Sequence, residues 1–215
     1  HENAYIKWLE EEKEVNAEEL LNQLKAAYGS GIDTEYHQTT WCSEQSIEFI
    51  EENRSNPWFL SVNTFAPHPI FRPPKEYLEL YNPQSLPYPL FRDKDIKQQE
   101  RFSGIDQQTS RAINPYASQG LYPNEDTLKK RSGSIPPETY DAKMMKACYY
   151  GEISLIDYQF GRIIETLKKT DQLAHTIVIF TSDHGELLGD HGLIYKGCRF
   201  FEALSHVPLI ISWPG

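Results

Sequence analysis

Between residues 138 and 169 apolar side chains recur at helical spacing. Met145, Tyr149, Ile153, Ile156, Phe160, Ile163, Ile164 and Leu167 fall near one face, and Lys168 and Lys169 close the stretch, where cations suit the carboxyl end of a helix dipole. Soon afterwards comes TIVIFT, residues 176 to 181, a β-branched and aromatic run without polar alternation. That is the pattern of a strand covered on both faces. A long amphipathic helix leading into a continuous apolar strand confines the chain to helices packed on a sheet.

Further elements agree with this. VPLIIS, residues 207 to 212, and WFLSVNTF, residues 58 to 65, read as two more strands, the second bounded by Pro57 and Pro67. A helix is expected from about Ala17, with Leu20, Leu21, Leu24 and Ala27 at helical spacing and Gly29 and Gly31 as its stop. Another is expected to start with Thr39 or Thr40 as N-cap, to carry Trp41, Ile47 and Ile50 on one face, and to end around Asn53 to Asn56. The order predicts an α/β sandwich with a largely parallel central sheet. From about 73 to 137 the composition shifts to Pro, Gln, Ser, Asn and charge, so this stretch is an irregular excursion with at most short helices.

Composition narrows the partners. The 13 Tyr, 10 Phe and 4 Trp supply material for a packed core, and the formal charge of -10 repels nucleic acid and anionic membranes. No apolar run is long enough to cross a bilayer, and the first residues do not read as a signal peptide. The cysteines, Cys42, Cys148 and Cys198, lie far apart with no C-x-x-C pairing, which suggests neither a zinc site nor a disulfide framework. An anionic substrate would therefore need a local cationic device.

That device is written just after the TIVIFT run. Ser182-Asp183-His184-Gly185-Glu186, Gly189-Asp190-His191-Gly192 and Lys196-Gly197 follow in order, at the place where ligands bind in a parallel α/β sheet. Asp183 and His184 can offer a carboxylate oxygen and an imidazole nitrogen to one divalent ion. Lys196 supplies a point charge suited to a tetrahedral oxyanion. His68, in Ala66-Pro67-His68-Pro69, lies just beyond the WFLSVNTF run. Were the two strands parallel, it would emerge on the same sheet edge. The ordinary readings are an Asp-His pair in a solvated turn, a loop histidine and a surface lysine.

The ordered string TIVIFTSDHGELLGDHGLIYKG, continuing to VPLIISWPG, resembles the sulfatase family of the alkaline-phosphatase-like superfamily. YHQTTWCSEQSIEFIEE, NPWFLSVNTFAPHPIFRPPKEYLELY and MKACYYGEISLIDYQFGRIIETL are similar to consecutive family segments, so the resemblance covers most of the chain outside the excursion. It implies a partial sulfatase catalytic domain over 1–215, an incomplete alkaline-phosphatase-like sandwich whose N-terminal and C-terminal parts are missing. Asp183 and His184 then correspond to metal ligands, with calcium the usual ion and manganese or zinc better matched to a nitrogen ligand. Lys196 and His68 correspond to catalytic groups that contact the sulfate, and His191 to a supporting or substrate-binding residue.

The family nucleophile is a formylglycine made from C-x-P-S-R or S-x-P-S-R near an Asp-Asp pair. Neither motif occurs here, so both are expected in a preceding segment. The resemblance implies a sulfated small molecule or sugar as substrate and a periplasmic, extracellular or lysosomal location. A phosphonate or phosphate ester hydrolase of the same superfamily, and a non-catalytic binding module, stand as alternatives. Phe201-Glu202-Ala203-Leu204-Ser205-His206, where many members read Tyr-Glu-Glu-Ser-x-Arg, and Ile70, where proline is frequent, depart from the pattern.

Overall fold

The structure, a computed structural model, describes residues 3–22, 28–53, 55–102, 112–116, 140–197 and 199–214. Among the described residues the α-helices are α1 (Ala4–Glu11), α2 (Ala17–Asn22), α3 (Gln38–Glu52), α4 (Lys75–Leu78), α5 (Asp93–Glu100), α6 (Ala142–Lys169) and α7 (Glu202–Ser205). The strands are β1 (Val178–Thr181) and β2 (Leu209–Ser212), which pair with each other. The chain divides into two units, and α6 runs from the second into the first.

The first unit comprises 1–81, 148–178 and 212–215. The Asn3 side chain accepts from Tyr5 N at 3.0 Å and starts α1, satisfying an amide that no helical carbonyl can reach. The expected helix from Ala17 is therefore preceded by another, and α1 buries Tyr5, Trp8 and Leu9 against Ala17. Leu24 and Ala27 lie outside the described residues.

His37, rather than Thr39 or Thr40, caps α3, its Nδ1 accepting from Thr39 N at 3.1 Å. Burial pushes this imidazole down to about 4, which keeps the lone pair available. The buried face of α3 also differs from the expected one, since Thr39, Thr40, Ser43, Ser46 and Ile50 are buried while Trp41 and Ile47 are half-buried. Small hydroxyl residues let α3 meet α6 closely. Ser43 Oγ donates to Gln159 O at 3.2 Å and Gln159 Nε2 donates to Thr40 Oγ1 at 2.8 Å, so these polar atoms pair across the two helices.

The WFLSVNTF strand is corrected. Residues 57 to 65 have no strand assignment, and Phe59 is 89% exposed. A strand is defined by the ladder beside it, and none of the described residues supplies one. A parallel bridge occurs instead at Tyr28 and Phe71. Gly31 passes so close to the next residue that a Cβ there would stand 2.0 Å from Arg72 O. Glu152 of α6 secures this crossing, its Oε1 accepting from Arg72 N at 2.6 Å.

The second unit comprises 82–147 and 179–211. Thr181 Oγ1 donates to Pro208 O at 3.0 Å beside the β1–β2 pair. The apolar strand residues expected to be buried are open, with Ile179 at 60% and Leu209 at 64% exposure, because no described residue packs over them. The core of this unit lies further along, where Leu187, Leu193, Leu204 and Ala112 cluster with Ile96 and Phe201 against them. Within the 73–137 stretch the described residues include α4 and α5. Residues 103–111 and 117–139 lie outside the description.

Candidate functional site

β1 ends at Thr181 and delivers the chain to Asp183 and His184. Asp183 is open to solvent, with its side chain 85% exposed, and its Oδ1 accepts from His184 N at 2.9 Å. The His184 ring lies with Nδ1 2.7 Å from Gly185 O. A carbonyl can only accept, so the hydrogen sits on Nδ1 and the lone pair on Nε2. That nitrogen stands 3.7 Å from Asp183 Oδ2.

Glycine is required beside them. A Cβ on Gly185 would lie 1.9 Å from Ala203 O, and Gly185 N donates to Leu204 O at 2.9 Å. The loop is thereby seated on α7, with its backbone turned so that His184 points outward. Among the described residues no group of three or more His, Cys, Asp and Glu side chains could hold a metal. Asp183 and His184 form a pair of donors only.

Behind this pair the chemistry changes from open to buried. Glu186 Oε2 lies 3.8 Å from Lys196 Nζ, with the side chains 3% and 14% exposed. Burial raises the Glu186 carboxyl to about 7, against the pull of Lys196 and the Leu187 amide. Burial likewise lowers Lys196, and the charges of Glu186 and Asp183 oppose that shift. The lysine therefore belongs to a local electrostatic group with both carboxylates. Sequence reasoning assigned no role to Glu186, although Ser-Asp-His-Gly-Glu was legible.

His191 occupies a tight left-handed turn, with φ of 57° at His191 and of 101° and 78° at Gly189 and Gly192. A Cβ on Gly192 would stand 2.7 Å from Ile113 O. Asp190 Oδ1 accepts from Leu90 N, and His191 N donates to Leu90 O, both at 2.8 Å. The His191 ring stacks on Phe201 at 4.1 Å between centroids, and its Nδ1 is 3.7 Å from Asp95 Oδ2. Asp95 lies in the excursion, where weak periodicity gave no signal of its burial.

His68 lies in the first unit, and Asp183, His184, His191 and Lys196 lie in the second. Its ring packs on Phe65 at 4.7 Å, and its Nδ1 is 2.7 Å from Pro69 O. By the same carbonyl argument, Nε2 is the ring atom left for a ligand.

The chain matches the family described as Sulfatase over residues 4–215. It is 33% identical to an arylsulfatase of Clostridium perfringens over 216 residues, covering 98% of this chain and 40% of that protein. It is 32% identical to the iduronate 2-sulfatase of Homo sapiens over 179 residues, covering 80% of this chain and 30% of that protein. Among solved structures, the phosphonate monoester hydrolase of Agrobacterium radiobacter superposes with a TM-score of 0.72 at 26% identity, covering 98% of this chain and 41% of that one. The chain thus spans well under half the length of these relatives.

Proposed function

We propose, from the premise that this chain belongs to the sulfatase family, that the protein carrying it hydrolyses sulfate monoesters of a sugar or other small molecule. The observation that carries this reading is the Asp183–His184 pair, whose Oδ2 and Nε2 stand 3.7 Å apart. That is too long for a hydrogen bond and suits two donors sharing one cation. The Gly185 carbonyl fixes the tautomer that ligation needs.

The family implies a divalent cation in general, and Asp183 and His184 fit as two of its ligands. Calcium is the first assignment by family, and the nitrogen donor favours manganese or zinc. A cation bound there would draw charge from the sulfate oxygens during S–O cleavage. Lys196, held by Glu186, would keep a positive charge facing the anion, the preorganisation that lowers a barrier of developing charge. His68 keeps the role of a sulfate-contacting residue on the family resemblance alone. His191 would support the turn that precedes Lys196.

Cys42, Cys148 and Cys198 do not fit the formylglycine the family uses, because none begins C-x-P-S-R, and no step is derived through it. In this reading the nucleophile, its Asp-Asp neighbour and the remainder of the α/β sandwich come from sequence outside residues 1–215. The protein acts in the periplasm, outside the cell or in a lysosome.

The likeness to a phosphonate monoester hydrolase favours a second reading on the same residues, since a tetrahedral phosphonate monoester offers the same oxygens to the pair. Turnover of an aryl sulfate and an aryl phosphonate monoester by the intact protein separates the two. Faster sulfate turnover, lost in Asp183→Ala, is expected. Faster phosphonate turnover establishes the second reading, and turnover of neither leaves a binding module.

A further inference from the structure

Helix α5 lies in the stretch that the sequence reads as an irregular excursion, yet two of its polar side chains are withdrawn from water. Asp95 and Gln99 are 1% and 4% exposed. They stand one helical turn apart and so share a face. Burying such groups is costly unless they are paired, so their partners indicate what the helix is for.

Each also has a neighbour in the loop that carries Lys196. Asp95 Oδ2 accepts from Arg92 N at 2.8 Å and lies 3.7 Å from His191 Nδ1. Gln99 Oε1 accepts from Arg199 Nε at 2.9 Å. The Arg199 guanidinium also lies over the Phe102 ring, 5.2 Å from its centroid. On the loop side, Arg199 N donates to Gly197 O at 2.9 Å, closing a turn immediately after Lys196, and Gly197 has a φ of 93°. One face of α5 therefore bonds the loop at Arg199, after Lys196, and comes near it at His191, before Lys196.

We propose that Gln99 is a positioning residue for Lys196, acting through Arg199. The proposal rests on the sulfate-ester reading above. A lysine ammonium sits on a flexible four-carbon stem, and ordering such a side chain costs up to about 2 kcal/mol of rotamer freedom. Its charge serves a developing anion only when it is held before the substrate arrives. The ion pair with Glu186 sets the tip of the side chain, and the Gln99–Arg199 bond sets the backbone from which it springs. A through-space bond between residues 100 apart in sequence does what the local sequence around Lys196 does not.

The test uses the intact protein, with an aryl sulfate as substrate and amide hydrogen exchange across 194–200 as a second readout. Gln99→Ala should speed exchange in that segment and lower kcat/KM by about 10- to 100-fold, the scale of a misplaced positioning group. The loss should appear in kcat, because Lys196 is assigned to the charge that develops on the anion. Gln99→Glu, which keeps an acceptor for Arg199 Nε, should restore both readouts. The proposal is overturned if Gln99→Ala speeds exchange and leaves kcat/KM unchanged, which marks a purely structural bond. It is also overturned if kcat/KM falls while exchange is unchanged, or if Gln99→Glu behaves like Gln99→Ala. Inactivity of the unsubstituted protein on aryl sulfate and aryl phosphonate esters would instead sink the functional reading beneath it.

Discussion

Glu186 Oε2 stands 3.8 Å from Lys196 Nζ, both side chains largely out of solvent. Neither charge would rest there alone, since burial disfavours the ionised form of each. Glu186→Ala should therefore destabilise the fold by roughly 2–5 kcal/mol, because it leaves an ammonium buried without its counter-charge. Glu186→Gln keeps the shape and should cost less. Denaturant midpoints of the two variants against the unsubstituted protein check this, and a Glu186→Ala midpoint no lower than that of the unsubstituted protein would remove the assignment.

Glu152 gives a pH dependence of unusual sign. Burial raises its carboxyl to about 8 from an ordinary 4.5, against the lowering effect of the Arg72 amide bond. The unfolded chain releases this proton near 4.5 and the folded chain near 8, so between those values the folded state binds more protons. Stability contributed by this group is present below the lower value and is lost as pH rises through the upper one, by up to about 1.4 kcal/mol per pH unit. Glu152→Gln should flatten that slope. Unfolding free energies measured at about pH 5 and about pH 8.5 in both proteins test it, and parallel profiles would remove the assignment.

Gly185 should not tolerate a side chain. Its missing Cβ would fall 1.9 Å from Ala203 O, a backbone atom that cannot swing aside. Gly185→Ala should cost about 1–3 kcal/mol or more, as overpacking does, and should displace His184 from its bond to the Gly185 carbonyl. Gly161→Ala is the contrasting control, since a Cβ there meets nothing within 4 Å. Thermal midpoints decide it: the first variant should fall well below the second.

Residues 1–215 alone should not turn over sulfate esters, because they contain no formylglycine precursor motif and no Asp-Asp pair. An assay with excess aryl sulfate and added calcium measures this. Multiple turnover that disappears in Asp183→Ala would contradict the assignment of the nucleophile to sequence outside this chain.

Much of the fold was legible beforehand where one element reports its own surroundings. Helix α6 and strands β1 and β2 each appear within a few residues of their expected places, but the buried face of α6 carries Glu152, Leu155 and Gln159 while Ile153 of the expected stripe is exposed. The motif after β1 named Asp183, His184, His191 and Lys196 because the family resemblance is written in consecutive residues there. The WFLSVNTF run failed as a strand for the complementary reason: apolar composition states a preference for burial and says nothing of whether a ladder stands alongside.

Tertiary structure alone decided how the named residues are equipped. The Gly185 carbonyl chooses the His184 tautomer, Glu186 takes the buried place beside Lys196, and Asp95 and Gln99 reach the same loop from a helix with no apolar periodicity to announce it. Sequence by itself determined which residue types stand at the end of β1. The Arg199 partner of Gln99 is a through-space neighbour 100 residues away in sequence, and hydrophobic periodicity carries no information about a hydrogen bond between two polar side chains on different elements.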